Sequence, residues 1–271
     1  MTLWILGGDA RSHWAAEYLR QLGFSVSTSG VPEMKNSPLP DRFRCAVLPF
    51  PSFSGSLLRG RSNLTAKEVL KRSGETTVIF GGLLGPWKEA FCSAGARVRD
   101  LYGTEPLTTG NAVPSAEGAI ALAMELSPVT IHGSRCLVAG FGRCGKILAA
   151  KLKALGARVT AGLRNPADQA LAEALSLETD RSGVWSRGLS AYDFIFNTVP
   201  APVFSSEQAA DISPDCIFIE LASRPGGIAL EDTTHINYHF APGLPGRSAP
   251  KTAGILYAQS IVRILEKEGL H

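Results

Sequence analysis

A strand, a glycine turn, a helix, a glycine and a second strand occur twice in this chain, 133 residues apart. Residues 3–6 read as a short apolar strand broken by Gly7-Gly8-Asp9. A helical pattern follows over about 12–22, and Gly23 closes it before a strand at 24–27. Residues 136–139 repeat the strand, Gly140 opens a turn, a helix runs to Leu155, and Gly156 closes it before a strand at 158–161. Gly7 thus falls on Gly140, Leu22 on Leu155, Gly23 on Gly156 and Val26 on Val159. Strand, helix and strand in this order make a parallel pair with a crossover, which restricts the chain to open α/β architectures.

The copies differ where a ligand would sit. The second carries Gly140-Phe141-Gly142-Arg143-Cys144-Gly145, a complete G-x-G-x-x-G between strand and helix. Gly140 permits the tight turn, Gly142 lets the backbone approach a pyrophosphate, and Gly145 lets the helix pack on the strand. A glycine-rich turn of purely structural use is the competing reading; the strand-turn-helix-strand context favours a dinucleotide. The first copy puts Asp9 where Gly142 stands, and a carboxylate there would repel a phosphate. Asp9 and Arg11 therefore either face a substrate or form a turn or helix cap. The expected fold is α/β, with two open parallel-sheet Rossmann-like domains joined by long interdomain helices.

An acid after the second strand would hold a ribose 2′-hydroxyl. Here that strand ends in Leu163, and Arg164 and Asn165 follow. An arginine suits a 2′-phosphate, so NADP is expected over NAD; the bland alternative is an exposed loop arginine. Three further apolar strands end in loops that should line the same crevice. They are Asn197-Thr198-Val199-Pro200, the loop from Glu220 through Ala222 and Arg224 to Gly227, and the loop from Ala241 to Gly246. Asn197, Thr198, Val199, Pro200 and Ala222 join Gly140 to Gly145, Arg164 and Asn165 as expected cofactor-binding residues.

A helix with Pro114 or Ser115 near its start and Pro128 just past its end should link the domains. A last helix over about 251–268 carries Ile255, Leu256, Ile261, Val262 and Leu265, and should return to the first domain. The expected division is residues 1–128 plus 251–271 as a substrate domain and 129–250 as an NADP-binding domain.

Composition narrows the functions. With 45% hydrophobic and 19% charged residues the chain builds a core, and 271 residues suffice for two domains. A net charge of +3 without a basic block argues against nucleic acid as the main partner and leaves small anionic ligands open. The sequence has no run of 18 or more apolar residues, so no membrane span is expected, and the first residues lack the basic leader of a secretory signal. Five cysteines without a C-x-x-C pair and five scattered histidines predict a reducing, cytoplasmic setting and no metal site.

Six segments together resemble the A subunit of bacterial dipicolinate synthase. They are GGDAR, NAVPSAEGAIALAME, TIHGSRCLVAGFGRCGK, FNTVPA, ELASRPGG and APGLPGRSAPKTAG, in the same order along essentially the whole chain. Ser12 stands where the family would carry Gln, and Arg224 where it would carry Lys. The resemblance implies NADP-dependent oxidation of dihydrodipicolinate to dipicolinate in the mother cell of a sporulating bacterium, in a heteromeric complex with a flavoprotein-like B subunit. It also implies the architecture of formate and glycerate dehydrogenases.

A dicarboxylate needs cationic groups and N–H donors. Arg11, Asn111, Ser115, Arg224 and Lys251 are the expected substrate-holding residues, with Arg247 near the same turns. Asp9, Glu117 and Lys251 are the candidates for catalytic proton transfer by placement, each also plausible as a cap, an ion-pair partner or a surface charge. Two rivals stay open. A 2-hydroxyacid dehydrogenase would need a histidine in the loop after the last strand, where this chain has Gly243. A nucleotide-binding protein without turnover of its own would keep every motif above, and a homo-oligomer is compatible with all of them.

Overall fold

Both repeats fold as strand, helix and strand, and both helices stop in the same way. The computed structural model describes residues 1–60 and 64–270. In the first repeat β1 (Thr2–Leu6) leads to α1 (Ala10–Gln21) and β2 (Ser25–Ser29). Gly23, at φ +86°, donates to Arg20 O at 2.9 Å, and Phe24 N donates to Leu19 O at 3.1 Å. At the second stop Gly156, at φ +87°, donates to Lys153 O at 2.9 Å, and Ala157 N to Leu152 O at 3.1 Å. Each pair is a Schellman motif, which uses a left-handed glycine to satisfy the last helical carbonyls.

The first unit comprises Met1–Asn111 with Ala249–His271. After β2 come β3 (Cys45–Val47), the hairpin of β4 (Phe53–Ser54) and β5 (Leu57–Leu58), and α2 (Ala66–Lys71). Then follow β6 (Val78–Gly81), α3 (Trp87–Ser93), β7 (Arg97–Asp100) and the first turns of α4 (Glu105–Leu126). The parallel sheet runs β2-β1-β3-β6-β7. Its strand order differs from that of the second unit, although the openings match. The last helix, α9 (Pro250–Lys267), lies on α1 and puts Tyr257, Ala258, Ile261 and Leu265 into a core with Leu3, Ile5, Ala15 and Leu19. A Cβ on Gly254 would strike Trp14 and the α1 backbone, so the two helices approach closely. The Tyr257 hydroxyl donates to Leu48 O at 2.7 Å.

The second unit is Ala112–Ser248. It contains β8 (Arg135–Ala139), α5 (Arg143–Ala154), β9 (Arg158–Leu163), α6 (Pro166–Ala174) and β10 (Glu178–Arg181). These are followed by β11 (Phe194–Asn197), α7 (Ser206–Ala210), β12 (Ile217–Glu220), β13 (Asn237–Phe240) and α8 (Leu244–Ser248). The parallel sheet runs β10-β9-β8-β11-β12-β13, so the unit's strands stand in the order third, second, first, fourth, fifth, sixth. β11 and β12 are buried along their whole length, as their uninterrupted apolar runs require when both faces are covered.

One expected boundary moves. The linking helix starts at Glu105 rather than beside Ser115, and Pro114 lies inside it. Proline removes an N–H and crowds the carbonyl four residues back, here that of Gly110. Packing on both sides carries the helix through: Gly110 abuts Leu256, and Pro114 O accepts from Ser248 Oγ at 3.1 Å. The chain passes between units within this helix, after Asn111, whereas the sequence division stands at 128. Among the described residues no helix is long and apolar enough to cross a membrane.

Candidate functional site

Open α/β sheets bind ligands at the carboxyl ends of strands, where the strand order reverses. In the second unit that point lies between β8 and β11. A Cβ on Gly145 would collide with Gly140 O, so this glycine brings α5 against the turn. A Cβ on Gly140 would meet Thr198 Oγ1 and Val199 Cγ2 at 2.5 and 2.7 Å. Thr198 N and Oγ1 both donate to Ala139 O, at 2.9 and 3.0 Å, which pins the β11 loop to the glycine turn. Among the described residues a Cβ at Gly142 would meet nothing within 4 Å, and no side chain caps α5. The start of α5, with its positive dipole end, therefore lies beside bare glycine backbone, a cradle that fits a pyrophosphate. Burial raises the Cys144 thiol to about 11, so it remains protonated at neutral pH.

Arg164 is exposed immediately after β9 and makes no hydrogen bond or ion pair among the described residues. Asn165 caps α6, accepting from Asp168 N at 2.7 Å. Asp168, the first acid beyond β9, is held by Lys146 at 2.6 Å and by the Asn165 amide at 2.7 Å.

The loops after β11 and β12 share a partner absent from the expected site residues. Glu220 is fully buried at the end of β12. Its Oε1 accepts from Asn197 Nδ2 at 2.7 Å and from Ala222 N at 3.0 Å, and its Oε2 accepts from Gly227 N at 2.8 Å. Asn197 also spans its own turn, donating to Val199 O and accepting from Val199 N. Burial raises the Glu220 carboxyl above its ordinary value, a shift that Gly227 N–H, Asn197, Ala222 N–H and Arg224 partly offset. A charged residue ending the run IFIE was the available signal. Arg224 is exposed, with its guanidinium carbon 4.6 Å from the centre of the Phe240 ring.

In the first unit the order reverses between β1 and β3. There Gly8, Asp9, Arg11, Ser12, Pro49 and Asn111 line a depression of about 340 Å³ open to solvent, with Tyr257 of α9 on its wall. Asp9 is the N-cap of α1 and accepts from Arg11 N at 2.9 Å. The Arg11 side chain returns to it, Nε to Oδ1 at 2.9 Å and Nη2 to Oδ2 at 2.8 Å, while Nη2 also donates to Phe50 O at 2.6 Å. Its Nη1 makes no hydrogen bond among the described residues. Burial works against the Asp9 charge, but Arg11 outweighs it and holds the carboxyl below its ordinary value.

The remaining expected residues make the following contacts. Lys251 is exposed on α9, its ammonium 4.8 Å from the centre of the Trp14 ring. Glu117 pairs with Lys151 at 2.8 Å, in the last turn of α5 and so away from the glycine turn. Ser115 lies within α4, so it supplies no helix N-terminus. Phe141 is buried, and Lys146 sits 5.6 Å from the centre of its ring.

A six-stranded parallel sheet with an open glycine turn at its switch point, together with a five-stranded parallel sheet, defines a dehydrogenase-like Rossmann protein. The D-lactate dehydrogenase of Escherichia coli shares this fold at a TM-score of 0.64 and 14% identity, over 99% of this chain and 98% of that one. The A subunit of dipicolinate synthase from Bacillus subtilis (strain 168) is 32% identical over 202 residues, which are 73% of this chain and 68% of that protein. The chain belongs to the family of dipicolinate synthase A subunits. The crystal structure of the A subunit from Bacillus halodurans matches at a TM-score of 0.89 and 26% identity over 97% of each chain. That of the Bacillus subtilis protein matches at 0.86 and 26%, over 98% of this chain and 96% of that one. No protein-family model matches the sequence.

Proposed function

We propose that this chain oxidises dihydrodipicolinate to dipicolinate with NADP, acting with a flavoprotein-like B subunit in the cytoplasm of a sporulating mother cell. The observation that carries the reading is the contrast between the two helix starts: α5 is uncapped beside Gly142, whereas Asp9 already caps α1. Gly140 to Gly145 hold the pyrophosphate, Arg164 the 2′-phosphate, and the loop from Asn197 to Pro200 with Ala222 the remainder. With Asp168 engaged by Lys146 and Asn165, no acid competes for the 2′ position. When bound, the nicotinamide accepts the hydride.

Within the substrate unit, Asp9 fixes the Arg11 guanidinium so that its outer edge meets one substrate carboxylate, with Asn111 on the same wall. Such a bound arginine loses little side-chain entropy on binding a carboxylate. Loss of a hydride and a proton makes the ring aromatic, so positioning and exclusion of water matter more than a strong acid.

Titration of the purified chain with NADP and NAD, followed by mixing with freshly made dihydrodipicolinate with and without the B subunit, tests the reading. NADPH formation is expected. No preference for NADP removes Arg164 from its role, and NADP binding without turnover in either mixture leaves a nucleotide-binding protein.

A further inference from the structure

We propose that the second unit carries a separate site for a small oxyanion, a phosphate or carboxylate group, at the amino ends of β8, β9 and β10. A solvent-open depression of about 360 Å³ lies there, lined by Arg135, Arg158, Thr160, Glu178, Arg187 and Tyr192. The glycine turn follows the opposite, carboxyl end of β8, so the nucleotide cradle and this depression are different places.

Charge is the first argument. Arg135 and Arg158 are direct register partners on adjacent strands, and both are exposed. Like charges paired across strands repel, and neither guanidinium has an acid partner among the described residues. Arg187 pairs with Glu178 at 2.6 Å and the Asp193 carboxylate is taken up by the Arg135 backbone N–H at 2.7 Å, which leaves the Arg135 and Arg158 guanidinium groups without an ion pair among the described residues. Two guanidinium groups side by side match the bidentate geometry of a carboxylate or phosphate.

The second argument is independent of charge. Tyr192 is 5% exposed, and its hydroxyl is shielded from solvent without a hydrogen-bond partner. The neighbouring Thr160 hydroxyl donates to Glu178 Oε2 at 3.5 Å and lies beside the tyrosine hydroxyl without a well-directed hydrogen bond to it. Buried hydroxyls are normally partnered. The ring cannot swing away: it packs in the core with Leu137, Ile195 and Phe218. It also follows a turn at Leu189–Ala191 whose first N–H groups are tied to Asp211. A donor held at the wall of a depression with uncompensated cations fits an oxyanion that accepts from all of them.

The test is thermal unfolding of the full chain against inorganic phosphate and, separately, pyridine-2,6-dicarboxylate, each compared with sodium chloride at equal ionic strength. The expected result is a midpoint rise beyond that of chloride with at least one of the two anions; which one acts identifies the source of the oxyanion. In Arg135→Gln/Arg158→Gln the affinity should fall about tenfold or more, the scale of a lost charge-assisted bond. Tyr192→Phe separates the site from general salt effects. Removing a buried hydroxyl without a partner should raise the anion-free midpoint while weakening the anion response. Equal responses of the native chain and the double variant, or no rise beyond chloride with either anion, overturn the proposal.

Discussion

Asp9 and Gly142 hold the same position in the two halves of the chain. Each is the N-cap of the helix that follows the first strand of its sheet, Asp9 at φ −117° and ψ −163°, Gly142 at φ −76° and ψ −163°. The backbone path is shared and the side chain differs. One helix start carries a carboxylate that accepts from Arg11 N; the other carries a glycine with no side chain to cap it.

Gly142→Ala should therefore separate binding from folding. Gly142 has an ordinary negative φ and open space around its missing Cβ, so alanine should cost no more than about 1 kcal/mol of stability. The methyl group would occupy the path of the pyrophosphate, and NADP titration should show the loss. Gly145→Ala should behave in the opposite way. Its Cβ strikes Gly140 O, and the unfolding midpoint should drop by the equivalent of about 1–3 kcal/mol.

Arg164→Ala should weaken NADP by about 1.5–3 kcal/mol, the scale of a hydrogen bond to a charged group, and leave NAD unchanged. Parallel titrations with both nucleotides decide it: equal losses would take Arg164 away from the 2′-phosphate.

At Asp9 charge and cap can be parted. Asn is as good an N-cap as Asp, so Asp9→Asn should keep α1 but lose the clamp on Arg11, raising KM for the dicarboxylate more than it lowers stability. Asp9→Ala should lose both, with a stability cost of about 0.5–2 kcal/mol from the cap. Unchanged KM in both variants would place the substrate elsewhere.

Glu220 predicts a pH dependence of opposite sign to the usual carboxylate. Its folded value is raised, so between its ordinary 4.5 and that higher value the folded chain binds more protons than the unfolded one. Stability from this group falls as pH rises through that window. Glu220→Gln should flatten this slope. It should also cost about 1–3 kcal/mol, because one side-chain N–H would then face an N–H of Asn197, Ala222 or Gly227. Denaturation midpoints measured across the acid range in both proteins check the sign.

What could be read from the residues alone was what is local. Gly23 and Gly156 mark helix ends because only a left-handed residue closes a Schellman motif, and the runs FIF and IFI mark buried strands. The order of the first sheet was not legible, since it depends on β3, three residues long, standing beside β1. Ser115 was misplaced because Pro114 reads as a helix start, and nothing in the local sequence reports that Ser248 and Leu256 pack alongside. The partners of Glu220 were not legible for the same reason: Asn197 and Gly227 meet it through the fold.

The insertion of Ala112–Ser248 between the two parts of the first unit sets an order of events during synthesis. The second unit is contiguous and has all its strands before α9 is made. The first unit, begun earlier, waits for Tyr257, Ala258, Ile261 and Leu265 to complete its core. Domains fold as units while the chain emerges, so the half translated last in part is finished last. In a refolding chain as well, the core around Leu3, Ile5, Ala15 and Leu19 closes only when a helix that follows the whole second unit docks on it.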